Sequence, residues 1–102
     1  MVAERNGKLI GYATIFTKVE QTGEIDEVAF TYAFISHISV TPEARGTGAG
    51  KLLLSECEAR AKSAGQKWLR IAVLAKNMVA RDIYRNIGFH DHHITMEKLI
   101  SQ

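Results

Sequence analysis

The sequence predicts a mixed α/β fold: a mainly antiparallel sheet with two flanking helices. Three observations carry that expectation. Asn6-Gly7 sits between apolar runs as a two-residue hairpin signal. Two stretches with helical spacing, 48–64 and 78–87, are each followed by a glycine, Gly65 and Gly88, where a left-handed cap is expected. Between them Lys67 to Leu74 is nearly continuous in apolar residues, as suits a parallel strand covered on both faces.

The elements follow in order. Val2 to Arg5 is a short strand, and Lys8 to about Val19 is its hairpin partner. Gln21 to Asp26 is a polar turn around Gly23, and Glu27 to Val40 returns as a long strand rich in Val, Phe, Tyr and Ile. Gly48 to Ala64 is a helix with Glu56/Arg60 and Glu58/Lys62 at i,i+4 on its outer face. Its apolar positions Leu53, Leu54, Cys57, Ala61 and Ala64 face inward, which makes Cys57 a small core residue. After the strand Lys67–Leu74, Asn77 stands where an N-cap belongs and Met78 to Ile87 is the second helix. A last strand is expected over about His92 to Leu99.

Composition narrows the function little. The chain has 102 residues, a length suited to one domain, and a formal charge of +2. It has no basic run and no aromatic stripe of the kind that tracks a nucleic acid, so no nucleic-acid partner is expected. One cysteine rules out an internal disulfide and suits a reducing compartment. With no signal peptide or membrane span in view, the expected location is the cytoplasm and no membrane partner is expected.

The chemistry concentrates in residues 38–50, Ile-Ser-Val-Thr-Pro-Glu-Ala-Arg-Gly-Thr-Gly-Ala-Gly. A strand ends there, a glycine-rich turn follows and a helix begins. Glycines at 46, 48 and 50 clear side chains from the turn, so backbone N–H groups can converge on an anion. The helix start adds its free amides and the positive end of its dipole. Arg45 can fork onto the same oxygens, and Arg81 and Arg85 suit phosphate contacts too. A pyrophosphate-bearing ligand fits this design.

Spacing separates the loops that bind such ligands. Only three residues separate Gly46 from Gly50, where a Walker A loop needs four, and Leu52 follows Lys51, so this is no Walker A loop. A dinucleotide fingerprint would need glycine at position 51, which is Lys51. What remains is Arg-x-x-Gly-x-Gly, on Arg45, Gly48 and Gly50. A second patch, Asn77-x-x-Ala80-x-x-x-Tyr84 followed by Gly88-Phe89, accompanies it in the right order. The two together resemble the GCN5-related N-acetyltransferases, the GNAT superfamily, over residues 1 to about 99.

The resemblance implies a GNAT-like acyl-CoA N-acyltransferase fold over residues 1–102, a single domain that binds acetyl-CoA; no metal is expected. Family members normally open with a strand and two helices ahead of the hairpin that here starts at Val2, so the match is to an N-terminally short member. The implied cofactor residues are Ile38, Ser39 and Val40 for the pantetheine arm and the thioester oxygen. Arg45, Gly46, Thr47, Gly48, Ala49 and Gly50 would take the pyrophosphate, and Asn77 the arm again. The implied acid is Tyr84, a phenol that donates to the departing thiolate. Many relatives use a glutamate as base on the strand before the loop; here His37 is the candidate base and Ser36 a candidate for positioning a water. His90, Asp91, His92 and His93 lack the spacing of a metal site and are read as lining the acceptor entrance or as solvated.

Two functions remain open at this stage. One is an N-acetyltransferase moving acetyl from acetyl-CoA to a primary amine of a small molecule or peptide by direct attack. The other is a catalytically weak CoA-binding interaction module. The strands also carry apolar residues at odd and even positions, including Leu9, Ile10, Tyr12, Phe16, Phe30 and Phe34, so cover on both faces and a homodimer or higher homo-oligomer are expected.

Overall fold

The computed structural model describes residues 1–21 and 30–101. The expected turn after Gln21 and the start of the long strand at Glu27 lie outside the described residues. The described chain runs β1 (Val2–Arg5), β2 (Lys8–Gln21), β3 (Phe30–Val40), a 3-10 turn (Pro42–Ala44), α1 (Ala49–Ser63), β4 (Leu69–Ile71) and α2 (Met78–Asn86). It divides into two compact units, Met1–Ala72 and Val73–Gln102.

The first unit is a four-stranded sheet in the order β1-β2-β3-β4 with α1 packed on one face. β1 and β2 form the hairpin that Asn6-Gly7 announces, and both turn residues have positive φ, 53° and 78°, as a tight primed turn requires. β2 and β3 pair antiparallel from Gly11↔Val40 to Gln21↔Phe30. β4 joins β3 in parallel through Ala33↔Leu69, Phe34↔Arg70 and Ile35↔Ile71. That ladder is shorter than the apolar run Lys67–Leu74 suggests. β3 has an extra residue, Ser36, between the partners of Thr14 and Ile15, and the parallel pairing stops at the residue before it.

The core lies between α1 and the sheet. Ala49, Leu53, Cys57 and Ala61 recur every fourth residue on one face of α1 and, with Leu54, are buried. Opposite them lie Ala13, Ala33 and Ile35. Each leucine buried here contributes about 1.5–3 kcal/mol. Gly11 lets the layers meet, because a Cβ there would stand 2.8 Å from the Ser39 carbonyl oxygen and 3.1 Å from Leu53 Cδ1. The outer face of α1 carries the expected pairs, Arg60–Glu56 and Lys62–Glu58, both at 3.5 Å. The helix ends at Gly65 (φ 81°), where the Gln66 and Gly65 amides return to the Ala61 and Lys62 carbonyls in a Schellman motif.

The second unit is built on α2. Asn77 Oδ1 accepts the Ala80 amide at 3.2 Å as an N-cap. Gly88 (φ 109°) closes the other end with the same two-bond motif, Phe89 to Tyr84 and Gly88 to Arg85. The strand expected over His92–Leu99 is absent: residues 89–101 form neither helix nor strand, and Ile94, Met96 and Leu99 are exposed. Alternating apolar residues make a strand only where a neighbour supplies ladder bonds, and among the described residues nothing pairs with this segment.

Candidate active site

In the first unit, β3 leads through the 3-10 turn into α1, and this passage holds most of the residues singled out in the sequence. Gly46 (φ 79°) and Gly48 (φ 91°) take left-handed conformations that only glycine adopts freely. Gly48 is the N-cap of α1 and has no side chain to cap it, so the first amides of the helix, Ala49 to Lys51, are left for an external acceptor. Thr47 turns its hydroxyl inward and donates to the Ala44 carbonyl, which braces the turn. The Arg45 guanidinium is exposed and has no hydrogen-bond or ion-pair partner among the described residues. Glu43 is the neighbouring carboxylate; a backbone hydrogen bond and the Thr41 hydroxyl hold it below the ordinary carboxylate range.

The end of β3 supplies a second feature. The Thr41 amide donates to Ile10, while Ala13 exchanges both its bonds with Met1 on the other side of β2. By the alternation of an antiparallel ladder, His37, Ser39 and Thr41 therefore point their backbone groups at β2. Ile38 and Val40 point theirs the opposite way, toward the flank where β4 pairs further down the strand. β4 has already stopped at Ile71, level with Ile35. The Ile38 and Val40 amides and carbonyls thus form a sheet edge that nothing among the described residues pairs with, one short turn before the glycine loop. An extended chain carrying amides could add to it like a strand.

The extra residue at Ser36 also sets the side chains. Ala33 and Ile35 face α1; without the insertion His37 would follow them. Instead Ile38 takes that side and His37 lies exposed on the opposite, open face with Tyr12 and Ser39. Its ring stacks on Tyr12, centroids 5.2 Å apart and planes 10° apart. Ser36 donates its hydroxyl to the Thr14 carbonyl at 3.3 Å. In the sequence the insertion leaves only a break in apolar spacing after Ile35, which is followed by Ile38 and Val40. Tyr12 left no such signal.

In the second unit Tyr84 is half-buried, tilted against Phe89 at 5.9 Å, and burial pushes its phenol above the ordinary value of 10.0. The acid form therefore persists at neutral pH, as a proton donor needs. Asn77 spends its carbonyl oxygen on the helix cap and keeps its NH2 group for other use. Arg81 and Arg85 have partners of their own within this unit. Arg85 holds both Asp91 oxygens at 3.2 and 3.1 Å, while Arg81 donates to the Ala75 carbonyl at 2.8 Å and approaches Asp91 at 3.9 Å. The Asp91 carboxylate drawn into the histidine cluster by sequence is thus an anchor for two arginines.

A free strand edge thus runs into a glycine-rich helix start, and the chain can be set beside known proteins. The chain belongs to the acetyltransferase (GNAT) family, which it matches over residues 1–89. It is 32% identical over 95 residues to a mycothiol acetyltransferase from Cellulomonas flavigena, covering 87% of this chain and 26% of that protein. It is 32% identical over 91 residues to the uncharacterized N-acetyltransferase YhfO of Bacillus subtilis, covering 89% of this chain and 58% of that protein. Among solved structures, a mutant of the BH1408 protein of Bacillus halodurans shares the fold with a TM-score of 0.89 at 22% identity, over 98% of this chain and 64% of that one. The chain thus spans between about a quarter and two thirds of the length of these proteins.

Proposed function

We propose that the chain is an acetyl-CoA-dependent N-acetyltransferase that moves the acetyl group to a primary amine of a small molecule or peptide by direct attack. One observation carries the reading: the unpaired edge at Ile38 and Val40 runs straight into the uncapped amides of α1. The pyrophosphate of acetyl-CoA sits on the amides of Gly46 to Gly50 with Arg45 and Thr47 beside it. The pantetheine amides then extend along Ile38, Ser39 and Val40, and the thioester oxygen accepts from that edge. An amide already aimed there stabilises the tetrahedral oxyanion without reorganising. The family motif gives Asn77 to the arm as well, through its NH2 group.

In the transfer the neutral amine forms its bond to the thioester carbon while the carbonyl pair moves onto oxygen. His37 takes the amine proton, the pair returns, and the carbon–sulfur bond breaks as the thiolate is protonated, the task that the family motif gives to Tyr84. Direct attack is favoured over a covalent cysteine route because Cys57 is 0% exposed in the α1 core, its thiol pushed up by burial. The family match and the two named acetyltransferase relatives support this reading. No helix among the described residues is long and apolar enough to cross a membrane. A homo-oligomer completes the proposal, since α1 covers one face of the sheet and Val2, Tyr12 and Phe16 stand exposed on the other.

Thiol release from acetyl-CoA over a panel of amines tests the proposal: a polyamine, an aminosugar, an arylalkylamine and a peptide with a free α-amine. CoA binding is measured calorimetrically beside it. Turnover on one class confirms the transferase. Binding with no turnover on any would make the chain a CoA-binding module instead.

A further inference from the structure

We propose that Tyr12 is a positioning residue for the transfer: its ring holds the His37 imidazole at the insertion in β3, aimed across the open face. This rests on the reading of His37 as the base. Three observations meet at the pair. The extra residue at Ser36 puts His37 on the open face, one residue before the free edge of Ile38. Its cross-strand partner is Thr14, whose methyl and hydroxyl offer an imidazole no planar support, while Tyr12 lies diagonally across the pair Tyr12↔Ser39. Diagonal neighbours are within reach of aromatic side chains. The rings stack at 5.2 Å with planes 10° apart, inside the favourable range of about 4.5–7 Å.

The consequence is mechanistic. Both side chains are exposed. An exposed imidazole left to itself samples several χ1 and χ2 wells, and in most of them its nitrogens miss a nucleophile beside the thioester. Stacking removes those wells and holds the imidazole in a plane nearly parallel to the Tyr12 ring, with its nitrogens at the rim of the stack. The phenol oxygen is not needed for this; a flat ring is.

The test is a kinetic cycle on the full chain with acetyl-CoA and the best amine of the panel. Tyr12→Leu should lower kcat about tenfold or more, as misplacement of a reacting group does, with KM for acetyl-CoA unchanged. Tyr12→Phe should restore the rate. In a His37→Gln background the Tyr12→Leu loss should vanish, because one act has already been removed. Tyr12→Thr, a good strand former, repeats the measurement should the leucine variant aggregate. Wild-type kcat in Tyr12→Leu beside a crippled His37→Gln overturns the positioning role and leaves the base standing. A Tyr12→Leu loss undiminished in the double variant overturns it too, since Tyr12 would then act directly. Wild-type kcat in His37→Gln removes the base, and the positioning role with it. NMR needs no turnover: the His37 ring-proton shifts should move in Tyr12→Leu and hold in Tyr12→Phe, and shifts that stay put in both overturn the proposal.

Discussion

Gly50 separates structural need from ligand need better than its neighbours do. Gly46 and Gly48 are forced by their positive φ, and Gly48→Val would strain the backbone by about 1–2 kcal/mol even though nothing lies within 4 Å of the new Cβ. Gly50 is different: it is helical, and an added Cβ would meet Val40 Cγ2 at an ordinary 3.7 Å. Inside a helix glycine is inferior to alanine by up to about 1 kcal/mol, so its presence points to something approaching the backbone. Gly50→Ala should leave the melting temperature equal or higher and weaken CoA binding about tenfold, near 1.4 kcal/mol, by calorimetry. Unchanged affinity would take the pyrophosphate away from this turn. Tyr84→Phe should lower turnover about 10²–10⁴-fold with acetyl-CoA affinity kept, the range for a lost general acid; wild-type turnover would leave proton delivery to water. The Tyr84 phenol and the Cys57 thiol share a direction, both raised by burial. Groups whose pKa is higher folded than unfolded support the fold below the unfolded value and lose that support as pH rises through the folded one. Urea midpoints should therefore fall from about pH 9 upward, and fall less steeply in Cys57→Ala. A midpoint flat to pH 11 would contradict burial of both groups.

At the level of elements, the ends of helices were the most legible features and the ends of strands the least. Asn77, Gly65 and Gly88 cap where their chemistry says, because a cap is satisfied by residues two to five positions away. A strand depends on a neighbour distant in sequence. The apolar run Lys67–Leu74 promised a longer β4, but its partner turns aside at Ser36; the alternation over His92–Leu99 promised a strand with nothing to pair against. The Asp91 partner of Arg81 and Arg85 was hidden for the same reason, since it is close in space and says nothing in the pattern. The contact between β2 and α1 can be tested at Gly11. Adding a methyl there presses on the Ser39 carbonyl and Leu53, and overpacking of that kind costs about 1–3 kcal/mol. Gly11→Ala should lower the melting temperature by about 4–8 °C for each kcal/mol lost in a domain of this size. An unshifted transition would mean that the sheet and α1 are less tightly joined than the geometry shows.

For the whole molecule the question is what lies against the open face of the sheet. The register puts Val2, Tyr12 and Phe16 on the face away from α1, and they are 61%, 40% and 55% exposed. Phe30 and Tyr32, further along the sheet, are partly shielded by the Arg70 guanidinium, 5.3 and 4.0 Å from their rings. Val2 and Phe16 have no such shield among the described residues. Large apolar side chains gathered on one exposed sheet face suit an interface, and a twofold axis would let them bury against their own copy. Val2 stands directly beside Tyr12 in the register, whereas Phe16 lies four residues further along β2, so an interface centred on Phe16 would keep the Tyr12–His37 pair at its rim. Phe16→Lys should then shift the chain toward monomer, because a charge on each side of the axis would face its own image. Light scattering at micromolar concentration should give a multiple of 11.3 kDa for the wild type and a lower mass for the variant. A wild-type mass of 11.3 kDa would remove self-association and make the open strip a surface that meets something other than its own copy.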